Sequence, residues 1–356
     1  MKKNARGIIL VVVYCKGRNE MVIDLKEQFK EKLEQEFNCK WDECSNLKRF
    51  LMYRASRMKI DCDVSEQAVD QYLKKYPWIF NGQKSVQAKE HYKYEIKAEG
   101  TEVYRGDTMT SAWNFVRDAI QLADNYQTEV IENEKIKGSL SKNIKELILI
   151  IDNLKWDSIN GLNKQLNDFV TNCHTAGNFL PVPLYFNSER SGYYANRDCW
   201  DITMIAIFGW YADNPELASI NLDVVDIKKD KWLIGLFSGT GNGTKVMSVI
   251  NCKKWLMKFE RWSYFVKKNK LEVFVLKKKD KYLPKRIIDN KIYQFSQTTA
   301  QDFFNKDWKE LKPGKEKKIK NWDSKDKENL VLYLENLNKS ITKRSESFVM
   351  QKKMSY

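Results

Sequence analysis

Apolar residues along this 356-residue chain recur mostly at helical spacing, and only briefly in alternation. Leu25, Phe29, Leu33 and Phe37 lie among Lys and Glu and predict an amphipathic helix over 24–37. Leu47, Phe50, Leu51 and Arg54 share a face of a second over 43–58, and Ser65, Ala68, Val69 and Tyr72 suggest a third ending before Pro77. HYKYEIKAEG alternates like a strand. After it, Asp107 or Thr108 reads as the N-cap of a helix whose apolar face is Trp113, Val116, Ile120 and Ala123.

The longest helical pattern covers about 142–172. Ile144, Leu147, Ile151 and Leu154 form one stripe, resumed by Leu162, Leu166, Phe169 and Val170 beyond a kink or break at Gly161. WDITMIAIFGWY is apolar almost all round, as a fully buried helix is. KWLIGLFS and TKVMSVI read as two short strands joined by a glycine-rich hairpin turn, since the intervening Gly239–Gly243 cluster lacks phosphate-loop spacing. LEVFVL is a further strand candidate, and the Lys-rich stretch 305–327 reads as a loop. The last helix, about 326–348, carries Leu330, Leu334, Leu337 and Ile341, then Arg344 on the same apolar stripe, then Phe348. The sum is an α+β chain, predominantly α-helical, with a few short antiparallel strands. Residues 1–20 read as an N-terminal extension or strand, 21–348 as a single globular domain and 349–356 as a tail.

Charge refines the picture by its position. Residues 251–356 hold 28 Lys and Arg against 13 Asp and Glu, while the first 250 residues balance at 34 against 34. The whole +15 excess therefore sits in the last third, which points to an anionic partner, DNA or RNA first, or else to simple solubilisation. Lys253, Lys254, Lys258, Arg261, Lys267 and Lys268 interleave with Trp255, Trp262 and Tyr264, a mix suited to phosphate contact and base stacking. The same stretch reads equally as an amphipathic element, because Trp255, Phe259 and Trp262 fall on one helical face. Seven scattered cysteines without a CxxC fit free thiols in a reducing cytoplasm. The basic MKKNAR followed by GIILVVVYC has the outline of a short signal peptide but no small residues for cleavage, and no run approaches membrane-spanning length.

Candidate chemistry concentrates where periodicity stops, at 174–201. His174 follows the long helical pattern and reads either as a general base or ligand or as a helix-end cap, with Gly177 at a left-handed position. Asn178 and Asn187 either position a substrate or brace a turn at Pro181-Val182-Pro183. Arg105 with Asp107 at a helix start suggests an anion site, or plain capping. Arg344 must find a partner, either a core aspartate (Asp107 or Asp201) or an anionic ligand. Together Arg105, Asp107, His174, Asn178, Asn187, Arg190, Asp201 and Arg344 make a candidate pocket, with His174 and Asp107 the catalytic candidates. No metal set or cofactor is indicated.

RGDTMTSAWN, HTAGNFLPVPLYFN followed by Arg190, DCWD and ITKRSESF together resemble an uncharacterised bacterial family with GDT, HTxGNFxPxPxxFN, WD and IxxRS motifs. The His174–Phe179 segment, Asn187 and Ile341–Arg344 are also similar to the distal part of HNH-type nuclease domains in modification-dependent restriction proteins. The upstream segment carrying the catalytic histidine of those domains is absent, so this likeness implies a nucleic-acid setting, in phage defence or restriction, more than cleavage. The competing expectation is an enzyme or sensor that binds a small anionic ligand around His174 and Arg344.

Overall fold

A computed structural model describes residues 27–55, 95–97, 103–123, 144–156, 159–173, 175–183, 185–186, 190, 199–238, 242–295, 298–312 and 317–350. The predominantly helical α+β class holds. Among the described residues no helix is long and apolar enough to cross a membrane.

Helix α1 (Glu27–Phe37) buries Leu33 and Phe37, and α2 (Asn46–Ala55) buries Leu47, Phe50 and Leu51, as their spacing predicts. Between them Trp41 is buried in a 3-10 turn, where Glu34 accepts its main-chain N–H at 2.6 Å and Arg49 donates to its carbonyl at 2.8 Å. Cys39 and Cys44 form a disulfide here, which corrects the expectation of free thiols throughout; Cys173, Cys199 and Cys252 are buried thiols. The helix expected before Pro77 lies outside the described residues.

Strands β1 (Glu95–Lys97), β2 (Val103–Thr108) and β3 (Phe179–Pro183) form an antiparallel sheet in that order, with Arg105 opposite Val182 and Asp107 opposite Leu180. Two expectations fall with this register. Arg105 and Asp107 sit in a strand and not at a helix start, and Pro181-Val182-Pro183 is strand and not turn. Helix α3 (Ala112–Ile120) begins instead after Ser111 and buries Val116 and Ile120.

The long helical pattern is two helices, α4 (Ile144–Ile150) and α5 (Leu162–Asn172). The break begins earlier than the expected Gly161, after a 3-10 turn at Ile151–Asn153; Gly161, whose φ of +82° is a left-handed conformation that a side chain would strain, is the N-cap of α5. Helix α6 (Trp200–Asp213) is buried along nearly its whole length, from Trp200 to Tyr211.

The stretches expected as a hairpin over 231–250 are helices, α7 (Lys231–Leu236) and α8 (Asn242–Met257). Their buried positions explain the difference. Trp232, Leu233, Leu236 and Phe237 recur at helical spacing, as do Val249, Cys252, Lys253 and Leu256, and only the short windows imitate strands. Helix α9 (Trp262–Lys268) follows, then a 3-10 turn at Glu272–Phe274 and a hairpin of β4 (Val275–Lys278) with β5 (Lys281–Pro284).

The expected loop at 305–327 is helical at its start. Helix α10 covers 300–311, with a π turn at Phe303–Asp307 that lets Phe303, Phe304, Trp308 and Leu311 all reach the core. Helix α11 (Ser324–Met350) buries the predicted stripe of Leu330, Leu334, Leu337 and Ile341, with Arg344 on it.

Candidate functional site

Asn178, from the stretch between 174 and 201, and Arg344 of α11 meet around one side chain, Trp200, at the start of α6. Its main-chain N–H donates to Thr110 Oγ1 at 3.1 Å and its indole N–H to Asn178 Oδ1 at 3.0 Å. One face of the ring stacks on Phe274 with centroids 4.2 Å apart, and the Arg344 guanidinium lies 5.2 Å from the ring centroid. Trp200 is wholly buried.

Asn178 has no capacity left for a substrate. Its amide donates to the carbonyls of Thr110 and Cys173, both at 2.9 Å, and its oxygen accepts from Thr110 N at 3.2 Å as well as from Trp200. An amide can make about four such bonds, and all four are internal. It ties α3 and α6 to the end of α5, so its structural role is the one realised.

Arg190 and Arg344 are both fully buried. Arg190 donates to the Met109 carbonyl at 2.9 Å and to Thr203 Oγ1 at 3.1 Å, with its guanidinium 5.4 Å from the Phe186 ring centroid. The described partners of Arg344 are not carboxylates. It donates to main-chain carbonyls: Gly177 at 2.9 Å, Phe179 at 2.7 Å, Asn269 at 2.9 Å and Lys270 at 3.1 Å. A guanidinium, with five donors in a planar fork, can bridge chain segments this way where an ammonium cannot. Burial holds its pKa well below the usual arginine value. The next residue, Ser345, accepts the Gly177 N–H at 2.9 Å and donates to Thr175 at 2.9 Å. Gly177 is required by this close approach, since a Cβ would collide with the Ile341 carbonyl and with Ser345; it is not a left-handed helix terminator.

Asp201 accepts from the Tyr333 hydroxyl at 3.1 Å and from the Ile202 amide at 3.0 Å. Burial pushes its carboxyl up to about 6, against these hydrogen bonds, which favour the ionised form. His174 and Asn187 lie outside the described residues, as do the side chains of Arg105 and Asp107. Asn178 and Arg344 therefore meet at Trp200, and Arg190 and Asp201 are buried beside them in sequence-adjacent or hydrogen-bonded positions, in one polar knot. Thr110, Tyr333 and Phe274 also belong to it and went unnoticed in the sequence. Only Tyr333 had a visible signal, lying three residues after Leu330 on the buried stripe. Among the described residues no group of His, Cys, Asp and Glu could hold a metal ion.

The basic–aromatic stretch divides sharply. Trp255, Phe259 and Trp262 are buried together with Phe265, with edge-to-face ring packing of Trp255 and Phe259 on Phe265. These rings are core, and none is free to stack on a base. Lys253 is buried too. It is paired with Asp230 at 2.8 Å and donates to the carbonyls of Asn221 and Val224, so it is not a phosphate contact. Asp230 in turn accepts from the Trp210 indole and the Asp226 amide. Lys254 meets Asp223 at 2.9 Å on the surface. Lys258, Arg261 and Lys267 are exposed, and Lys268 lies 4.9 Å over the Tyr264 ring.

Comparison with family models, with curated proteins and with solved structures finds no match.

Proposed function

We propose that this chain is a nucleic-acid-associated protein that engages phosphates through the exposed cations of its basic C-terminal third, in a cytoplasmic phage-defence or restriction setting. The observation that supports this reading most is where the exposed basic charge lies. Exposed Lys258, Arg261 and Lys267 stand on the solvent side of a segment whose aromatic residues are core, and the excess of 28 basic over 13 acidic residues lies in this third. The similarity of His174–Phe179, Asn187 and Ile341–Arg344 to the distal part of HNH-type nuclease domains is consistent with such a setting. The alternative pocket for a small anionic ligand around His174 and Arg344 has less support, because the Arg344 guanidinium is already bound by four main-chain carbonyls.

Salt dependence tests the proposal. Affinity for mixed-sequence DNA or RNA should fall steeply between about 50 and 200 mM salt, as expected when several lysines release counter-ions. Absence of binding at the lower concentration would remove the reading.

A further inference from the structure

The β4–β5 hairpin is the strongest unused feature of the surface. Its base is fixed and its tip is not. Phe274, just before β4, stacks on Trp200; the Trp262 indole N–H donates to the Tyr282 carbonyl at 2.9 Å; Val275 and Pro284 are buried. Exposure then rises along both strands to Lys277, Lys278, Lys279, Asp280 and Lys281, all exposed. The result is a short arm with a tip of four lysines and one aspartate.

Two details of this tip run against the local rules of hairpins. Lys278 and Lys281 are directly cross-strand partners, so two like charges face each other, which is destabilising. Lys279 holds a left-handed φ of +53°, where Gly or Asn would be relaxed and a lysine is strained. None of Lys277, Lys278, Lys279 and Lys281 has an ion-pair partner among the described residues, unlike Lys253, Lys254 or Lys317. Locally unfavourable choices gathered on one exposed element mark a place where a partner supplies the compensation.

We infer that this hairpin is a DNA-contacting arm whose lysine tip enters the major groove of a B-form duplex. This rests on the nucleic-acid reading above and goes beyond it by naming the element and the form of nucleic acid. A two-stranded ribbon matches the width of that groove, roughly 12 Å, and phosphates flank it on both sides. The A-form major groove is too deep and narrow to admit it. The tip residues 277–281 include no apolar side chain to bury in a bilayer interface. A second copy of the arm would be repelled by its own charge.

The test uses the full chain and a fluorescently labelled mixed-sequence duplex of about 20 base pairs at about 50 mM salt, followed by a salt titration. The arm variant Lys277→Gln/Lys278→Gln/Lys281→Gln is compared with a charge-matched variant of exposed lysines on other elements, Lys40→Gln/Lys164→Gln/Lys339→Gln. The arm variant should bind at least about tenfold more weakly, with the log–log salt slope flattened by roughly 2 to 3. The charge-matched variant should change by less than about threefold, and the arm variant should melt no lower than the parent chain. Lys279→Asn should weaken binding while raising the melting temperature, a combination that a purely structural lysine would not give. An RNA duplex of equal length should bind clearly more weakly.

If the parent chain binds DNA and the arm variant binds it equally well, the arm is overturned and the nucleic-acid reading survives. Equal affinity for the RNA duplex, or arm-dependent binding of phosphatidylserine vesicles without DNA binding, also overturns it. If the parent chain binds neither DNA nor RNA at low salt, both proposals fall together.

Discussion

The polar knot around Trp200 and the lysine tip of the β4–β5 hairpin are opposite uses of polar side chains. In the knot, Asn178 spends four hydrogen bonds internally and Arg344 binds carbonyls from two separate segments, 177–179 and 269–270. At the tip, four lysines carry charge that no described acidic residue answers, in a geometry the hairpin itself does not favour. A dense cluster of polar residues is thus no guide to a binding site. What separates binding from bracing is whether the groups are already satisfied by their own chain.

The largest effects should come from the buried cations. Arg344→Met leaves four buried carbonyls without their donors, at about 1 kcal/mol or more each, for a total on the order of 4 kcal/mol. Lys253→Met strands the Asp230 carboxylate in the core and should cost about 3–5 kcal/mol. Urea unfolding reads both. The contrast with the tip sharpens if each variant, where it still folds, keeps the parent's DNA affinity per folded molecule. It breaks if Arg344→Met leaves stability intact and abolishes binding.

A second measurement addresses Asp201, whose folded pKa of about 6 stands above the ordinary aspartate value of 3.8. Between these values the folded chain holds more protons than the unfolded one, so this group's contribution to stability falls as pH rises from about 4 through 6. The loss is on the order of 3 kcal/mol once the carboxyl is fully ionised. Asp201→Asn keeps an oxygen for the Tyr333 hydroxyl and should remove that slope, so that it unfolds at higher urea than the parent at pH 8 and at similar urea near pH 4. Parallel stability curves for the two chains across this range would show that the knot is not as dry as its burial implies.

Most of the helical frame was legible because its apolar stripes are long. The α11 stripe from Leu330 to Ile341 is buried as spaced, and the all-apolar α6 is the buried helix its composition implies. Errors arose where a window was short or a turn residue had two uses. KWLIGLFS looks like a strand over eight residues, and only the recurrence of Trp232, Leu233, Leu236 and Phe237 shows the helix. Asp107 looks like a cap, yet sheet pairing with Leu180 places it in a strand, a long-range fact that no local signal carries. The grouping of Asn178, Arg190, Asp201 and Arg344 was legible as a cluster. Its meaning was not, because the carbonyls that Arg344 binds are main-chain groups and every residue type has one. The lysine tip was passed over for the opposite reason. Only the register that sets Lys278 against Lys281 makes it unusual, and a register is not visible along the chain.

The smallest expected effect is the most direct check on reading charge by its surroundings. Lys254 follows Lys253 in sequence and also meets an aspartate at short range, 2.9 Å to Asp223. Its pair, however, is solvated: the side chains are 38% and 79% exposed, against 1% and 0% for Lys253 and Asp230. An exposed ion pair gains little over hydration and loses side-chain freedom, so Lys254→Ala should cost below about 0.5 kcal/mol, and less at high salt. Two adjacent lysines with nearly equal ion-pair distances should then differ roughly tenfold in the free energy their removal costs. A cost for Lys254→Ala close to that of Lys253→Met would mean that distance governs these pairs. The unpaired state of the hairpin lysines would then count for far more than their exposure, and the contrast between knot and tip would have to be redrawn on pairing alone.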